Sequence, residues 1–170
     1  MSWLSKMVRA LAKPPRKSKA KAQPRAAPPP RKKRRAAPVA AQAVPSGRHV
    51  VGLGGFPRSI VGESFCQEAL AKLCGGHNRE GHELEVTAVL VPEPSNPHDP
   101  GAVQVQIDGM AVGYLAKDEA AKYVAALLEA GLAGQAVGVK AKIVGGWRTN
   151  QHDAGHFGVR LALPWPVRFN

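Results

Sequence analysis

The residues best suited to chemistry in this chain are Asn96, His98 and Asp99. They are packed into Ser95-Asn-Pro-His-Asp-Pro-Gly-Ala-Val-Gln-Val105, which is followed by Val112-Gly-Tyr-Leu115. An amide, an imidazole and a carboxylate within four positions can stack, donate and accept hydrogen bonds. Pro97, Pro100 and Gly101 fix a turn around them, and alternating strand residues begin at once. A turn of this kind holds polar side chains rigidly at the mouth of a sheet, which is how binding pockets are made. A plainer role suits the same residues, because Asx side chains also cap their own turns.

A second group is Cys66, Cys74, His77 and His82, the ligand types of tetrahedral zinc, all within seventeen positions. Seven residues separate the two cysteines, where a zinc knuckle has two to four, so the spacing argues against zinc. The cysteines suit small apolar positions on an amphipathic helix instead. No cofactor is expected. Motifs for catalysis are missing: there is no P-loop, no HExxH and no serine elbow, and Gly52-Leu-Gly-Gly55 lacks the spacing of a dinucleotide fingerprint. Glu83, Glu85 and Asp118 read as a solvated face or a helix cap. No catalytic residue is therefore expected.

Charge divides the chain in two. The 170 residues carry a formal +12, but residues 1–48 hold 7 Lys and 7 Arg with no acid. Residues 49–170 hold the remaining 10 bases against all 12 acids, a net −2. A domain that grips a duplex along its length shows a basic face of its own, since neutralised phosphates supply most of the affinity. Here the tail, above all Arg31, Lys32, Lys33, Arg34 and Arg35, would add sequence-independent attraction to nucleic acid. Its plainer role is to keep a nearly neutral domain soluble.

Within the tail, Trp3, Leu4, Met7, Val8 and Leu11 fall on one face of a short helix over residues 1–13, which Pro14-Pro15 ends. Residues 14–47 are Pro, Ala, Lys and Arg with little to bury, and are expected to be disordered. No unbroken apolar core marks a secretory signal, so the chain is expected to be cytoplasmic and not secreted. Two cysteines in such a chain should be reduced thiols. In a eukaryote, residues 31–35 also fit a nuclear signal and the acid-free start an organellar one. The amphipathic start could also lie on an anionic membrane.

The elements that must position the polar turn come next. Residues 48–51 fit an edge strand, 59–62 a short strand, and 67–73 a helix closed by Gly75-Gly76. Residues 83–91 alternate as a long strand, with Leu84, Val86, Ala88 and Leu90 on one face. In residues 102–107, Val103, Val105 and Ile107 point inward. Asp108-Gly109 is a hairpin turn leading into 111–115. Residues 118–130 form the main helix, closed by Gly131, and 137–144 and 157–163 are the last strands. Short strands, two helices and no alternating βαβ order predict a mainly β fold, a compact antiparallel barrel over 48–170.

Ile60-Val-Gly-Glu-Ser-Phe-Cys66, Pro92-Glu-Pro-Ser-Asn-Pro-His-Asp-Pro-Gly-Ala-Val-Gln-Val105 and Val112-Gly-Tyr-Leu115 together resemble the HIRAN domain. The resemblance covers residues 58–132, with 136–164 completing the barrel. It implies a modified OB-like barrel that binds single-stranded DNA at its free 3′-hydroxyl end. It also implies partners such as helicases and nucleases of replication and repair; any hydrolase activity belongs to larger relatives. The family's pocket falls on Ser64 and Phe65, on Asn96, Pro97, His98 and Asp99, on Tyr114 and on Lys117. Phe65, His98 and Tyr114 offer flat faces for base stacking, Asp99 an acceptor for the terminal hydroxyl, and Lys117 a cation for a phosphate. Ser64 stands where the family has an arginine.

Phe65 and Tyr114 could instead be core aromatics. Trp147 and Arg148 could extend a groove or close the barrel, and Trp165 and Phe169 would cover an open end. Three functions follow: a non-enzymatic DNA-end binder, a protein-interaction adaptor with a degenerate pocket and a docking tail, and a metal-dependent hydrolase using the Cys/His group.

Overall fold

The computed structural model describes residues 47–52 and 54–170. The helix expected over 1–13 and the disordered stretch after it lie outside them, Gly47 excepted. The architecture is mainly β with two helices, as expected.

Among the described residues eight strands occur in chain order: β1 (Arg58–Ser59), β2 (His82–Pro92), β3 (Val103–Ile107), β4 (Met110–Tyr114), β5 (Val137–Gly145), β6 (Arg148–Asn150), β7 (Asp153–Ala154) and β8 (Phe157–Leu161). Six form one antiparallel sheet in the order β1-β8-β5-β2-β3-β4, and β6 and β7 make a separate hairpin. The six-stranded sheet curls into a half-barrel. Its two edges are tied where the chain leaving β1 reaches β4: Val61 N–H donates to the Tyr114 carbonyl at 2.8 Å, and Tyr114 N–H to the Val61 carbonyl at 2.9 Å. Gly113 permits this approach, because a Cβ there would lie 2.6 Å from the Val61 oxygen.

Hydrophobic alternation builds the core. Val103, Val105 and Ile107 are buried as their period predicts, with Ala88, Leu90, Val137, Val139, Ala141 and Ile143 from the neighbouring strands. Asp108 and Gly109 both have positive φ, as a two-residue hairpin of β3 and β4 requires.

Helix α1 (Gln67–Cys74) inserts Leu70 into the core, and helix α2 (Lys117–Glu129) inserts Ala120, Tyr123 and Leu127 at i, i+3 and i+7. Each helix ends as its glycine predicts. The Gly76 N–H reaches the Ala71 carbonyl at 2.7 Å, and the Leu132 N–H reaches that of Leu127 at 2.7 Å. Trp165 and Phe169 lie half-buried against the core, with the Phe169 ring edge-on to Tyr123 at 6.1 Å.

Two departures have physical causes. Leu84 was expected to share a face with Val86, Ala88 and Leu90, yet it is 41% exposed while Ala88 and Leu90 are buried. β2 runs past the end of β3, which pairs with it only from Ala88 onward, so nothing from β3 covers Leu84. The β6–β7 hairpin was not expected, because Arg148-Thr-Asn-Gln-His-Asp153 shows no apolar alternation. Among the described residues no helix is long and apolar enough to cross a membrane.

Candidate functional site

The turn at residues 93–102 is held from within. Asn96 Oδ1 accepts the N–H groups of His98 at 3.0 Å and Asp99 at 3.4 Å. Asp99 Oδ1 accepts the Gly101 N–H at 2.9 Å, and its carbonyl accepts the Ala102 N–H at 3.0 Å. Both residues therefore fill the Asx-turn role that their types allow. For Asp99 this uses one carboxylate oxygen; among the described residues Oδ2 takes no hydrogen bond. His98 stands exposed at the crest.

The turn is also fixed to the sheet, through residues that the sequence did not mark. Asn96 Nδ2 donates to Glu93 Oε2 at 2.8 Å. Glu93 Oε1 accepts Gln104 Nε2 at 3.0 Å, and the same nitrogen reaches Tyr114 Oη at 3.1 Å. Gln106 Nε2 donates to Gln104 Oε1 at 2.7 Å. Gln104 is 1% exposed and Gln106 3%, the only polar side chains in the buried class among the described residues. Simple alternation placed them on an outward face. Both faces of β3 are buried, and the Gln104 amide is taken up by Glu93 and Tyr114 while that of Gln106 is taken up by Gln104. A buried amide without partners costs about 1–3 kcal/mol, so a closed chain of this kind fixes one geometry.

Tyr114 is thus joined to the Asn96 turn through two intervening side chains. It is half-buried, and burial pushes its phenol up from the ordinary value, with the Glu93 charge adding to the rise while the Gln104 hydrogen bond opposes it. Phe65 sits on a short 3-10 turn, Glu63–Phe65, just beyond the Val61–Tyr114 bridge, and is 81% exposed. It is not a core aromatic. Ser64 is exposed beside it, and Lys117 is exposed at the first turn of α2, which follows β4 directly. The chain connections bring Phe65, Tyr114 and the Asn96 turn to one edge of the barrel. Arg31, Lys32, Lys33, Arg34 and Arg35 lie outside the described residues.

The Cys/His group does not assemble. His77 packs on Phe157 with ring centres 4.8 Å apart, and His82 lies 5.6 Å from the same ring while its Nε2 meets the Gly76 carbonyl at 2.9 Å. Cys66 and Cys74 are free, half-buried thiols. Burial pushes both up from the ordinary value, and Glu63 adds to the rise at Cys66. Among the described residues no three His, Cys, Asp or Glu side chains are placed to hold a metal ion.

No protein-family model, curated protein or solved structure matches this chain.

A cavity of about 460 Å³ opens elsewhere among the described residues. His49, Val50, Phe56, Thr87, Lys140 and the glycines at 52, 54 and 55 line it, on the solvent face of β2 and β5. Glu85 borders it, and Lys142 spans Glu83 at 3.5 Å and Glu85 at 3.7 Å with its ammonium 5.2 Å from the Phe56 ring centre. None of the residues expected to bind DNA or a metal lines it.

Proposed function

We propose that this chain is a non-enzymatic nucleic-acid-binding module of the HIRAN type. It takes the 3′-hydroxyl end of single-stranded DNA at the barrel edge formed by Phe65, Tyr114 and the Asn96 turn. Two observations support the reading: the bond chain from Asn96 through Glu93 and Gln104 to Tyr114, and the Phe65 ring, four residues past the Val61–Tyr114 bridge, left 81% exposed. A rigid polar turn next to an exposed flat ring is the pairing that end recognition needs: the ring stacks on a base, and the turn offers hydrogen bonds to its sugar.

In this scheme Phe65 supplies the stacking face, worth about 1–3 kcal/mol per base. Asp99 Oδ2 accepts the 3′-hydroxyl proton, which an internal nucleotide lacks. His98 stacks or donates at the turn crest, Asn96 holds the turn, Ser64 lines the edge, and Lys117 faces a phosphate. The basic tail, including Arg31 to Arg35, adds attraction that falls with salt. The module works in a reducing, cytosol-like compartment beside a helicase or nuclease of replication or repair.

Fluorescence anisotropy with matched 3′-hydroxyl and 3′-phosphate oligomers tests the reading. Micromolar binding that weakens on 3′-phosphorylation is expected, and equal affinities overturn end recognition. A second reading, a protein-interaction adaptor, is favoured by exposed Val61 and Phe65, four residues apart on the same edge. It predicts oligomer binding that disappears when Arg31 to Arg35 are neutralised and is indifferent to Asp99→Ala.

A further inference from the structure

Before β1 begins, the chain crosses the solvent face of the sheet. On that face Thr87 of β2 stands directly opposite Lys140 of β5, and Glu85 opposite Lys142. The outward position two residues before Lys140 is Gly138, where a Cβ would collide with the His49 imidazole. His49 therefore takes the place of a side chain in the Lys140 row, fixed by the Val50 N–H on the Gly138 carbonyl at 2.8 Å. Further on, Gly52 lies against Ala162, with a Cβ there 3.2 Å from the Ala162 carbonyl oxygen. Phe56 then lies beside the Lys142 ammonium. The crossing stretch and the sheet together enclose the cavity of about 460 Å³, with Lys140 and Thr87 on its sheet side.

Charge on this face is unbalanced. Lys142 holds both acids, Glu83 at 3.5 Å and Glu85 at 3.7 Å, and stands directly opposite Arg160 of β8. Like charges so placed weaken a sheet, and an anion would relieve them. Lys140 and Arg160 have no ion-pair partner among the described residues, although Glu85 borders the same cavity as Lys140. Among the described residues the Thr87 hydroxyl has no hydrogen-bond partner, and the Gly54, Gly55 and Phe56 N–H groups have no acceptor. Glycine lets backbone come close to a ligand, and an ammonium, a hydroxyl and free amides suit the several acceptor oxygens of a phosphate. Phe56 adds a flat apolar wall. The volume lies within the range of about 300–1,000 Å³ usual for small-molecule sites.

We infer that this cavity binds a free phosphomonoester that carries a flat ring. The phosphate is held by Lys140, Thr87 and the glycine loop, and the ring lies against Phe56. Neither Phe65, Tyr114 nor the Asn96 turn lines the cavity, so the inference stands apart from the end-binding reading.

The test is an amide chemical-shift titration of the full chain with phenyl phosphate, which has the phosphate and the ring but no 3′-hydroxyl. Saturable shifts are expected at His49, Gly54, Gly55, Phe56, Thr87 and Lys140, with Ser64, Phe65, His98 and Asp99 unmoved. Lys140→Met should weaken binding roughly tenfold, and Thr87→Val, which keeps the shape and removes the hydroxyl, about threefold or more. Glu85→Gln should tighten it, by removing a negative charge from the rim. Both Lys140 and Thr87 are exposed, so unchanged thermal melting is expected and checks that the variants fold. Absence of saturable shifts at these residues, or full affinity in Lys140→Met, overturns the inference. Equal binding of benzoate overturns the assignment to a phosphate. Cavity shifts with a 3′-phosphate thymidine oligomer but none with phenyl phosphate overturn the assignment to a free molecule.

Discussion

Polar atoms are buried at two places in this barrel, and the two are handled in opposite ways. At the β3–β4 edge, the side chains of Asn96, Glu93, Gln104, Gln106 and Tyr114 are linked by hydrogen bonds of 2.7 to 3.1 Å. Near α2 and the C-terminal segment, Arg58 Nε, Glu119 Oε2, Tyr123 Oη and Trp165 Nε1 are buried with no hydrogen-bond partner among the described residues. Satisfied networks are directional and hold one geometry; orphaned atoms mark places where apolar packing and shape decide the arrangement. The contrast places the organised polar edge where recognition is proposed and a structural compromise at the helix-covered end.

The comparison breaks most sharply at Glu93. Glu93→Ala removes an acceptor from both the Asn96 and the Gln104 amides, leaving Gln104 only Tyr114 Oη, and should cost about 1–3 kcal/mol in denaturant unfolding as well as loosen the turn. A loss below about 0.5 kcal/mol would mean that the network holds nothing. Next in size is Phe65→Ala, which should weaken oligomer binding by about 1–3 kcal/mol while leaving the melting temperature alone, since the ring buries little. Destabilisation without a binding effect would return Phe65 to a packing role.

Tyr123→Phe should move the other way. Removing a buried hydroxyl without a partner should raise stability by up to about 1 kcal/mol, read as a higher melting temperature. Burial also pushes the Tyr123 phenol well above its ordinary value of 10.0. The folded state thus favours the protonated form, so the associated stability is complete below pH ~10 and is lost as pH rises through the folded value. Tyr123→Phe should flatten that alkaline fall, and an unchanged profile would contradict it. The smallest effect is expected at the Arg58–Glu119 pair, 3.3 Å apart and partly exposed, which joins β1 to α2. Arg58→Met should change stability by only about 0–1 kcal/mol.

The same contrast shows what could be read from the chain alone. Strand alternation, the Asp108-Gly109 turn and the glycine caps at 75 and 131 are local signals, and both helices and strands β2 to β5 stand within a residue of where they were expected; the strand expected over 59–62 is instead Arg58–Ser59, that over 48–51 is reduced to bridges at His49 and Val50, and the last strand ends at Leu161. Pairings between distant segments carry no such signal: β2 with β5, or Val61 with Tyr114, follow from closure of the sheet. Gln104 and Gln106 read as solvent-facing because alternation assumes one wet face, and here β3 is covered on both. Asn96 and Asp99 were legible as turn residues or as ligands, and the geometry shows the turn role for both. Glu93 was passed over because its importance lies in partners eleven residues away, not in its own neighbourhood.

The most direct measurement is an amide chemical-shift titration of the full chain with a short 3′-hydroxyl thymidine oligomer and its 3′-phosphate twin. Saturable shifts at Ser64, Phe65, His98, Asp99 and Lys117 with the hydroxyl form, much reduced with the phosphate, are the predicted result. Shifts confined to the cavity around His49, Phe56, Thr87 and Lys140, or identical shifts with both oligomers, would contradict it.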